Sequence, residues 1–248
     1  MAGCLSSITE VNVELDFNRL RTTLMLEGEP DRVPLVELKM DQDVKDAFMG
    51  RPVTDAKTDV EFWAVAGYDY IRLRPPYGFP GEKQTGLARY SVYQEGPQKR
   101  EWAIEGKGAI SSLQDFESYP WPDPQEAGYW VLDEAAEHLR PGMKIIGAVN
   151  GIFEHVWWLM GFENFCFSLV EQPDLVEAMF ERVGSFTLEV FTTTIEHEGV
   201  GAMWMSDDLA YYSGPMINPQ YYRRYLFPWY RRMATLCREK DMPFLFHS

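Results

Sequence analysis

The chain has 248 residues, a formal net charge of −15 and a hydrophobic share of 46%, values that fit one large globular domain and exclude wholesale disorder. An exterior this acidic repels phosphate backbones and anionic headgroups, which argues against nucleic acid and membrane surfaces as partners. The three cysteines, Cys4, Cys166 and Cys237, are widely spaced, and residues 1–10 lack the basic and apolar stretches of a secretory signal. We therefore expect a soluble, cytoplasmic protein with free thiols.

The first third of the chain alternates predicted helices and strands. Phe17 to Leu26 and Asp59 to Ala66 are predicted helices, and Gly67 stands where a glycine commonly ends a helix. The first two predicted strands are Arg32 to Met40 and Tyr68 to Leu73, because both combine apolar residues with proline at a boundary.

The region from Tyr77 to Pro124 breaks this alternation. The short alternating stretches ARYSVYQ and KREWAIEG are separated by Gly96 and Pro97, which predicts a β-hairpin excursion after the second strand. The proline-rich run that begins at Tyr119 cannot lie inside a helix and predicts an extended connector.

The alternation returns after this excursion. Three further strands are predicted, at Lys144 to Val149, Ala202 to Met205 and Pro243 to His247. The predicted helices between them are Gln125 to Leu139, Ile152 to Met160, Glu163 to Glu171, Asp174 to Glu198 and Pro219 to Lys240.

Strands separated by helices predict crossover connections and a parallel sheet. A closed (β/α) barrel and an open doubly wound sheet both fit this pattern, although no glycine-rich nucleotide motif follows any strand. The last predicted strand ends without a turn or a covering helix. We therefore expect residues 1–248 to be a single incomplete α/β domain that is truncated at its carboxyl end.

Ligands of such folds bind at the carboxyl ends of the strands. Reading those ends in order gives acids, cations, an amide and a histidine, which are the groups that acid–base or metal chemistry requires. These candidates are Glu37, Lys39, Asp41, Asp43, Arg72, Arg74, Asn150, Glu154, His155, Ser206, Asp207, Asp208 and His247.

Each candidate has a structural alternative. Asp207 and Asp208 could cap the next segment, and Glu154 could favour the positive end of a helix dipole. Glu37 could lie on the polar face of a strand. His247 is a weak metal signal by itself, since no second His or Cys stands at ligand spacing.

Four stretches resemble the uroporphyrinogen decarboxylase superfamily: LRTTLMLEGEPDRVPLVEL, YDYIRLRPP, the block from Gly199 to Arg232, and PFLFHS. The block is the most specific of them and includes the aromatic-proline-aromatic sequence Phe227-Pro228-Trp229. The family fold is a (β/α)8 TIM barrel longer than this chain. The resemblance therefore implies a partial barrel with about five of the eight parallel strands.

The superfamily contains two chemistries. One is decarboxylation of uroporphyrinogen without a cofactor. The other is methyl transfer between a corrinoid and a thiol or ether, with zinc held by a His-x-Cys pair and a later Cys. His247 matches the histidine of that pair, and its cysteine would stand two positions later.

Departures from the decarboxylase pattern favour methyl transfer. The stretch from Leu38 to Asp43 keeps one cation and adds two acids, which would repel a polyanionic tetrapyrrole. Arg74 stands in place of the decarboxylase's aspartate at the second strand, Trp157 in place of a tyrosine, and Asp208 in place of a serine.

The resemblance thus implies a methyltransferase or demethylase subunit that uses zinc and a corrinoid presented by a partner protein, with a small-molecule methyl donor or acceptor. The alternatives are a uroporphyrinogen decarboxylase with a rearranged pocket, or a non-catalytic barrel module. An isolated five-strand portion is expected to be inactive, because part of the barrel wall would be missing. The implied roles are catalytic for Asp207 and Asp208, substrate-binding for Glu37, Arg72, Asn150, Glu154 and Trp157, and metal-binding for His247.

Overall fold

Four of the five predicted strands pair in one parallel sheet. A computed structural model describes residues 14–80 and 108–248. The strands are β1 (Tyr70–Leu73), β2 (Lys144–Asn150), β3 (Val200–Ser206), the short antiparallel pair β4 (Ala210–Tyr211) and β5 (Gly214–Pro215), and β6 (Phe244–His247). The helices are α1 (Phe17–Leu24), α2 (Gln42–Met49), α3 (Ala56–Val65), α4 (Leu113–Ser118), α5 (Trp130–Ala136), α6 (Ile152–Met160), α7 (Phe162–Glu171), α8 (Pro173–Ile195), α9 (Pro219–Tyr221) and α10 (Phe227–Glu239).

The sheet has the order β1-β2-β3-β6, and every neighbouring pair in it is parallel. Helices lie between consecutive strands of this sheet in the chain. Sequential strands that are adjacent and joined by helical crossovers are the arrangement of a (β/α) barrel wall. The α/β class and the partial-barrel architecture are therefore confirmed.

The prediction of a first strand at Arg32 to Met40 is wrong. Residues 33–40 form no strand, and the side chains of Val33, Leu35 and Val36 are exposed. The segment is attached to the sheet by a side chain instead: the Glu37 backbone N–H donates to Tyr70 Oη at 2.7 Å, and that hydroxyl donates to the Glu37 carbonyl at 3.1 Å. A short apolar stretch predicts a strand only where one of its faces is buried, and in this segment the apolar side chains are exposed.

The predicted hairpin excursion falls at residues 88–106, which lie outside the described residues. The proline-rich connector is confirmed as irregular chain between α4 and a 3-10 turn at Pro124–Glu126. The helix predicted from Gln125 to Leu139 is shorter than expected, because that turn and residues 127–129 precede α5.

The long helix predicted from Pro219 contains a π-helical turn at Tyr222–Leu226, between α9 and α10. Pro228 follows this turn. Since proline has no N–H to donate to the carbonyl four residues earlier, the regular ladder cannot pass through it, and a wider turn is a common solution. In residues 14–80 and 108–248, no helix has the length and apolar character needed to cross a membrane.

The two faces of the sheet pack differently. The outer face packs against the helices, above all α8, whose Val183, Val190 and Phe191 are fully buried. On the inner face, Tyr70 and Ile146 pack against Phe17 and Leu20 of α1. Helix α1 therefore covers the amino-terminal end of the inner face and leaves the carboxyl ends of the strands accessible.

A buried ion pair fixes α1 at this end. Asp69, whose side chain is 2% exposed, accepts hydrogen bonds from Arg19 Nη1 at 2.7 Å and from the Asp16 N–H at 2.9 Å. Arg19 also pairs with Asp31. Removing one partner of a buried ion pair leaves the other charge without compensation.

We predict that Asp69→Asn lowers the free energy of unfolding by about 3 to 5 kcal/mol, measured by urea denaturation. Asp241→Asn is the matched control, because Asp241 pairs with Arg21 on the surface and its side chain is 78% exposed. The control should change stability by no more than about 1 kcal/mol. Equal effects of the two substitutions would contradict the structural role given to Asp69.

Candidate functional site

The register of the parallel strands brings polar side chains together at one edge of the sheet. Asn150 at the end of β2 pairs with Ser206 at the end of β3, and Ser206 pairs with His247 at the end of β6. Paired residues of parallel strands point to the same face. These three residues therefore lie on the inner face at the carboxyl edge, where barrel enzymes bind their ligands.

Asp207, the residue after β3, lies on the other side of the backbone and is fully buried. Its carboxylate accepts hydrogen bonds from the backbone N–H groups of Phe153 at 2.9 Å and Glu154 at 3.0 Å, and from Tyr230 Oη at 2.5 Å. The two N–H groups belong to the first turn of α6, where backbone N–H groups have no acceptor within the helix. Asp207 therefore caps α6 and joins it to α10.

Gly151 makes this contact possible. A Cβ atom at that position would lie 2.1 Å from the Asp207 carboxyl carbon, so only a glycine lets the Asp207 carboxylate approach the start of α6. The carboxylate is fully buried in this position. Burial raises the pKa of Asp207 to about 6, although the hydrogen bonds from Tyr230, Phe153 and Glu154 oppose that rise.

Glu154 lies beside this carboxylate in the first turn of α6. Burial raises its pKa to about 9, with smaller contributions in the same direction from the charges of Asp207 and Asp208; a hydrogen bond from the Asp208 N–H opposes them. Glu154 is thus a neutral carboxylic acid at neutral pH. We call Glu154, Asp207 and Asp208 the acidic cluster.

Asp208 and His247 form the exposed part of this edge. His247 Nδ1 lies 3.8 Å from Asp208 Oδ1, and the two side chains are 45% and 63% exposed. The His247 nitrogen and the Asp208 carboxylate oxygens can both coordinate zinc, but protein zinc sites use at least three protein ligands. Among residues 14–80 and 108–248, no three His, Cys, Asp or Glu side chains are placed to hold one ion, so the described part of the chain does not complete a zinc site.

A cavity of about 300 Å³ adjoins this edge on the side of β1 and β2. Arg72, Arg74, Asn150 and Ser206 line it from the strands. The loop before α2 and α2 itself line it too, through residues that include Lys39 and Lys45. We call it the cationic cavity.

The stretch from Leu38 to Asp43 lies at the edge of the cationic cavity. The stretch from Leu38 to Asp43 was expected to repel anions because it contains two acids. In the structure Asp41 and Asp43 are exposed and are not among the lining residues, whereas Lys39 is. Asp41 nevertheless reduces the positive charge of the lining, because its Oδ1 pairs with Lys39 Nζ at 3.2 Å.

Glu37 and Trp157 are not part of the cavity lining. Glu37 Oε1 accepts a hydrogen bond from the Leu38 N–H at 3.1 Å. Trp157 packs edge-to-face against Trp158 and Phe162, each with ring centroids 5.6 Å apart. Their described contacts are therefore with neighbouring protein groups.

Three residues of this region carried no signal in the sequence. Tyr230 reaches Asp207 from α10, 23 residues along the chain. Lys45 and Asp59 form a buried ion pair at 2.6 Å between α2 and α3. Neither contact follows a spacing rule, because each depends on how two separate helices pack.

Glu154 makes stability dependent on pH. Glu154 stays protonated in the folded protein up to about pH 9, whereas the ordinary pKa of this carboxyl group is 4.5. The contribution of this group to the free energy of unfolding is therefore fully present below its ordinary pKa of 4.5 and is lost as pH rises toward 9. Between about pH 6.5 and about pH 8.5, this one proton lowers the free energy of unfolding by at most about 1.4 kcal/mol per pH unit.

We predict that Glu154→Gln flattens this decline, as measured by urea denaturation across the same pH range. Glu163→Gln, an exposed position on α7, is the matched control and should retain the decline of the unmodified protein. An unchanged slope in the Glu154 variant would show that this carboxyl group is ionised at neutral pH.

The comparisons with known proteins address both the fold and the family. The family model described as uroporphyrinogen decarboxylase (URO-D) matches residues 105–248. No curated protein matches the chain. Among solved structures, a methyltransferase from Methanosarcina mazei matches with a TM-score of 0.63 and 18% sequence identity, over 90% of this chain and 67% of that chain. That likeness shows a shared fold, and the family match covers more than half of the sequence. The chain belongs to the uroporphyrinogen decarboxylase family.

Proposed function

We propose that the protein is a methyltransferase or demethylase that moves a methyl group between a small molecule and a corrinoid carried by a partner protein. The observation that carries this proposal is the position of His247 beside Asp208, at the carboxyl edge of the sheet. This is the histidine that resembles the one in the His-x-Cys pair of the methyltransferase branch. The shared fold with a methyltransferase supports the same branch.

The cationic cavity supports a small substrate over a tetrapyrrole. Its volume of about 300 Å³ is at the lower limit of the usual range for small-molecule sites. In addition, Arg74 follows β1, the second of the predicted strands, and stands where the decarboxylase has an aspartate. The end of this strand therefore presents a cation in place of a carboxylate. These two features favour methyl transfer over decarboxylation of a macrocycle.

The acidic cluster divides into two roles in this proposal. Asp207 is fully buried and accepts hydrogen bonds from three donors, so it acts as a positioning residue for α6 and Tyr230. Asp208 is exposed at the edge and contacts the substrate. Glu154 holds a proton at neutral pH, which it can donate to the alkoxide or thiolate that remains when an ether or thioether loses its methyl group.

We also propose His247 as a zinc ligand. Zinc supplies a lowered thiol pKa or polarisation of the methyl donor when it is bound. Since His247 and Asp208 are at most two ligands, further ligands would have to join them.

We predict that His247→Ala and Glu154→Gln each lower the rate of corrinoid demethylation or methylation by about 100-fold or more. The rate is followed from the absorbance change of the corrinoid, with the complete gene product and its corrinoid partner. His138→Ala is the control, because His138 is exposed and lies just after α5, away from the strand ends. Conversion of uroporphyrinogen to coproporphyrinogen by the same protein would replace this proposal with the decarboxylase activity.

A second prediction concerns the metal. The complete gene product should contain about one zinc ion per chain, measured by elemental analysis, and His247→Ala should lose most of it. Zinc content that is unaffected by His247→Ala would remove His247 from the proposed site. Absence of both zinc and methyl transfer would favour a non-catalytic barrel module.

A further inference from the structure

The cationic cavity contains a buried ion pair whose hydrogen bonding is incomplete. Lys45 Nζ on α2 donates to Asp59 Oδ1 on α3 at 2.6 Å, and both residues line the cavity. The two side chains are only 10% and 4% exposed. A carboxylate withdrawn from water to this extent is stable only when its oxygens are well hydrogen-bonded, so the partners of both oxygens matter.

Part of the hydrogen-bonding capacity of this pair is unused by the protein. Among residues 14–80 and 108–248, Lys45 is the one donor to the Asp59 carboxylate, and it donates to Oδ1. An ionised carboxylate accepts through both oxygens, and an ammonium group has three N–H donors. The pair therefore offers the cavity an acceptor, Asp59 Oδ2, beside the remaining donors of Lys45. A single hydroxyl group satisfies both, because it donates one hydrogen bond and accepts another.

Aromatic rings hold the ammonium group in this position. Lys45 Nζ lies 5.8 Å from the centroid of the Phe62 ring and 5.5 Å from the centroid of the Trp63 ring. Trp63 also lines the cavity, and its buried Nε1 has no hydrogen-bond partner in the described part of the chain. The indole N–H can only donate a hydrogen bond, so the group that it lacks is an acceptor.

The charges of the lining do not favour a charged ligand. The buried ion pair is close to electrically neutral by itself. Lys39 Nζ pairs with Asp41 Oδ1 at 3.2 Å. The guanidinium carbons of Arg72 and Arg74 lie 5.4 and 5.1 Å from the centroids of aromatic rings. Since protein groups engage each of these cations, we expect the affinity of the cavity to come from hydrogen bonds and apolar contact.

The cavity extends from the ion pair to the carboxyl edge of the sheet. Leu38, Met40 and Leu73 contribute apolar residues to its lining. Ser206 lines it from the end of β3, where it pairs in register with His247 of β6. A ligand held at the ion pair therefore has an apolar environment for its body, and its far end lies toward the carboxyl edge.

We propose that the cationic cavity binds a small uncharged molecule through a hydroxyl group held between Lys45 and Asp59. The hydroxyl donates to Asp59 Oδ2 and accepts from Lys45 Nζ, while the apolar body of the molecule lies beside Leu38 and Met40. The identity of this molecule as the methyl donor or acceptor rests on the proposed function, whereas its binding does not.

The test is NMR titration of the purified protein with phenol, anisole and benzoate, at one ionic strength and at about pH 7, where phenol is uncharged. Phenol should bind about ten-fold or more tightly than anisole, because the ether cannot donate to Asp59 and a hydrogen bond to a charged group contributes at least that factor. Benzoate should bind more weakly than phenol, since its carboxylate would lie beside the carboxylate of Asp59.

A double substitution removes the whole pair. Lys45→Met combined with Asp59→Leu leaves neither charge buried without its partner, and replacements of this kind commonly preserve the fold. The double variant should weaken phenol binding by about ten-fold or more and leave anisole binding nearly unchanged. Thermal unfolding is measured in parallel, and the comparison of the three probes on the unmodified protein is independent of the stability of the variant.

Arg51→Met combined with Glu61→Leu is the matched control. This pair also connects the chain after α2 to α3, at 2.6 Å, but its side chains are 43% and 35% exposed and neither residue lines the cavity. The control should bind phenol within about two-fold of the unmodified protein, because an exposed ion pair contributes little.

Four results would overturn the inference: no binding of phenol, binding of anisole or benzoate as tight as that of phenol, phenol binding unchanged by removal of the buried pair, or equal weakening by the control. The outcome is separable from that of the proposed function. Phenol binding without methyl transfer would support the hydroxyl site and remove the methyltransferase. Methyl transfer with a KM unchanged in the Lys45→Met, Asp59→Leu variant would remove only the hydroxyl site.

Discussion

The arrangement of the candidate site depends on the buried carboxylate of Asp207. It accepts two hydrogen bonds from the start of α6 and one from Tyr230 on α10, while its own N–H donates to the His247 carbonyl at 3.0 Å. One residue thus joins β3, β6 and two helices. A buried carboxylate is stable only when its oxygens are well paired, so these elements hold each other in place.

The same contact sets the electrostatics of the carboxyl edge. Because Asp207 occupies the start of α6, Glu154 must lie next to an existing negative charge in a place with little water, and it keeps its proton. Arg72 and Arg74 lie near the end of β1, where they line the cationic cavity together with Asn150 and Ser206. The edge therefore has arginines at the end of β1 and carboxylates at the end of β3.

Much of the fold follows from the sequence, because apolar runs bounded by glycine and proline mark the strands and helices from β1 onward. The prediction of a strand at Arg32 to Met40 was wrong, because a short apolar stretch does not show whether a sheet is present to bury it. The arrangement of the candidate site was harder to predict from the sequence. Asp207 and Asp208 are adjacent and identical in type, yet one is fully buried and the other is 63% exposed.

What separates those two aspartates is a set of partners that are distant in the chain. The donors to Asp207 are 54, 53 and 23 residues away, and no spacing rule relates them to it. Arg72 and Arg74 illustrate the same point. The sequence places them at a strand end, but their stacking on Trp204 and Tyr77 depends on tertiary packing.

The close packing of Gly151 against Asp207 also limits which substitutions this part of the protein can accept. A larger residue at position 151 would place its Cβ atom 2.1 Å from the Asp207 carboxyl carbon, so it would force the carboxylate away from α6. A smaller residue at position 207 would relieve that clash, but it would leave the Phe153 and Glu154 N–H groups without their acceptor. The two positions are therefore expected to tolerate change only together.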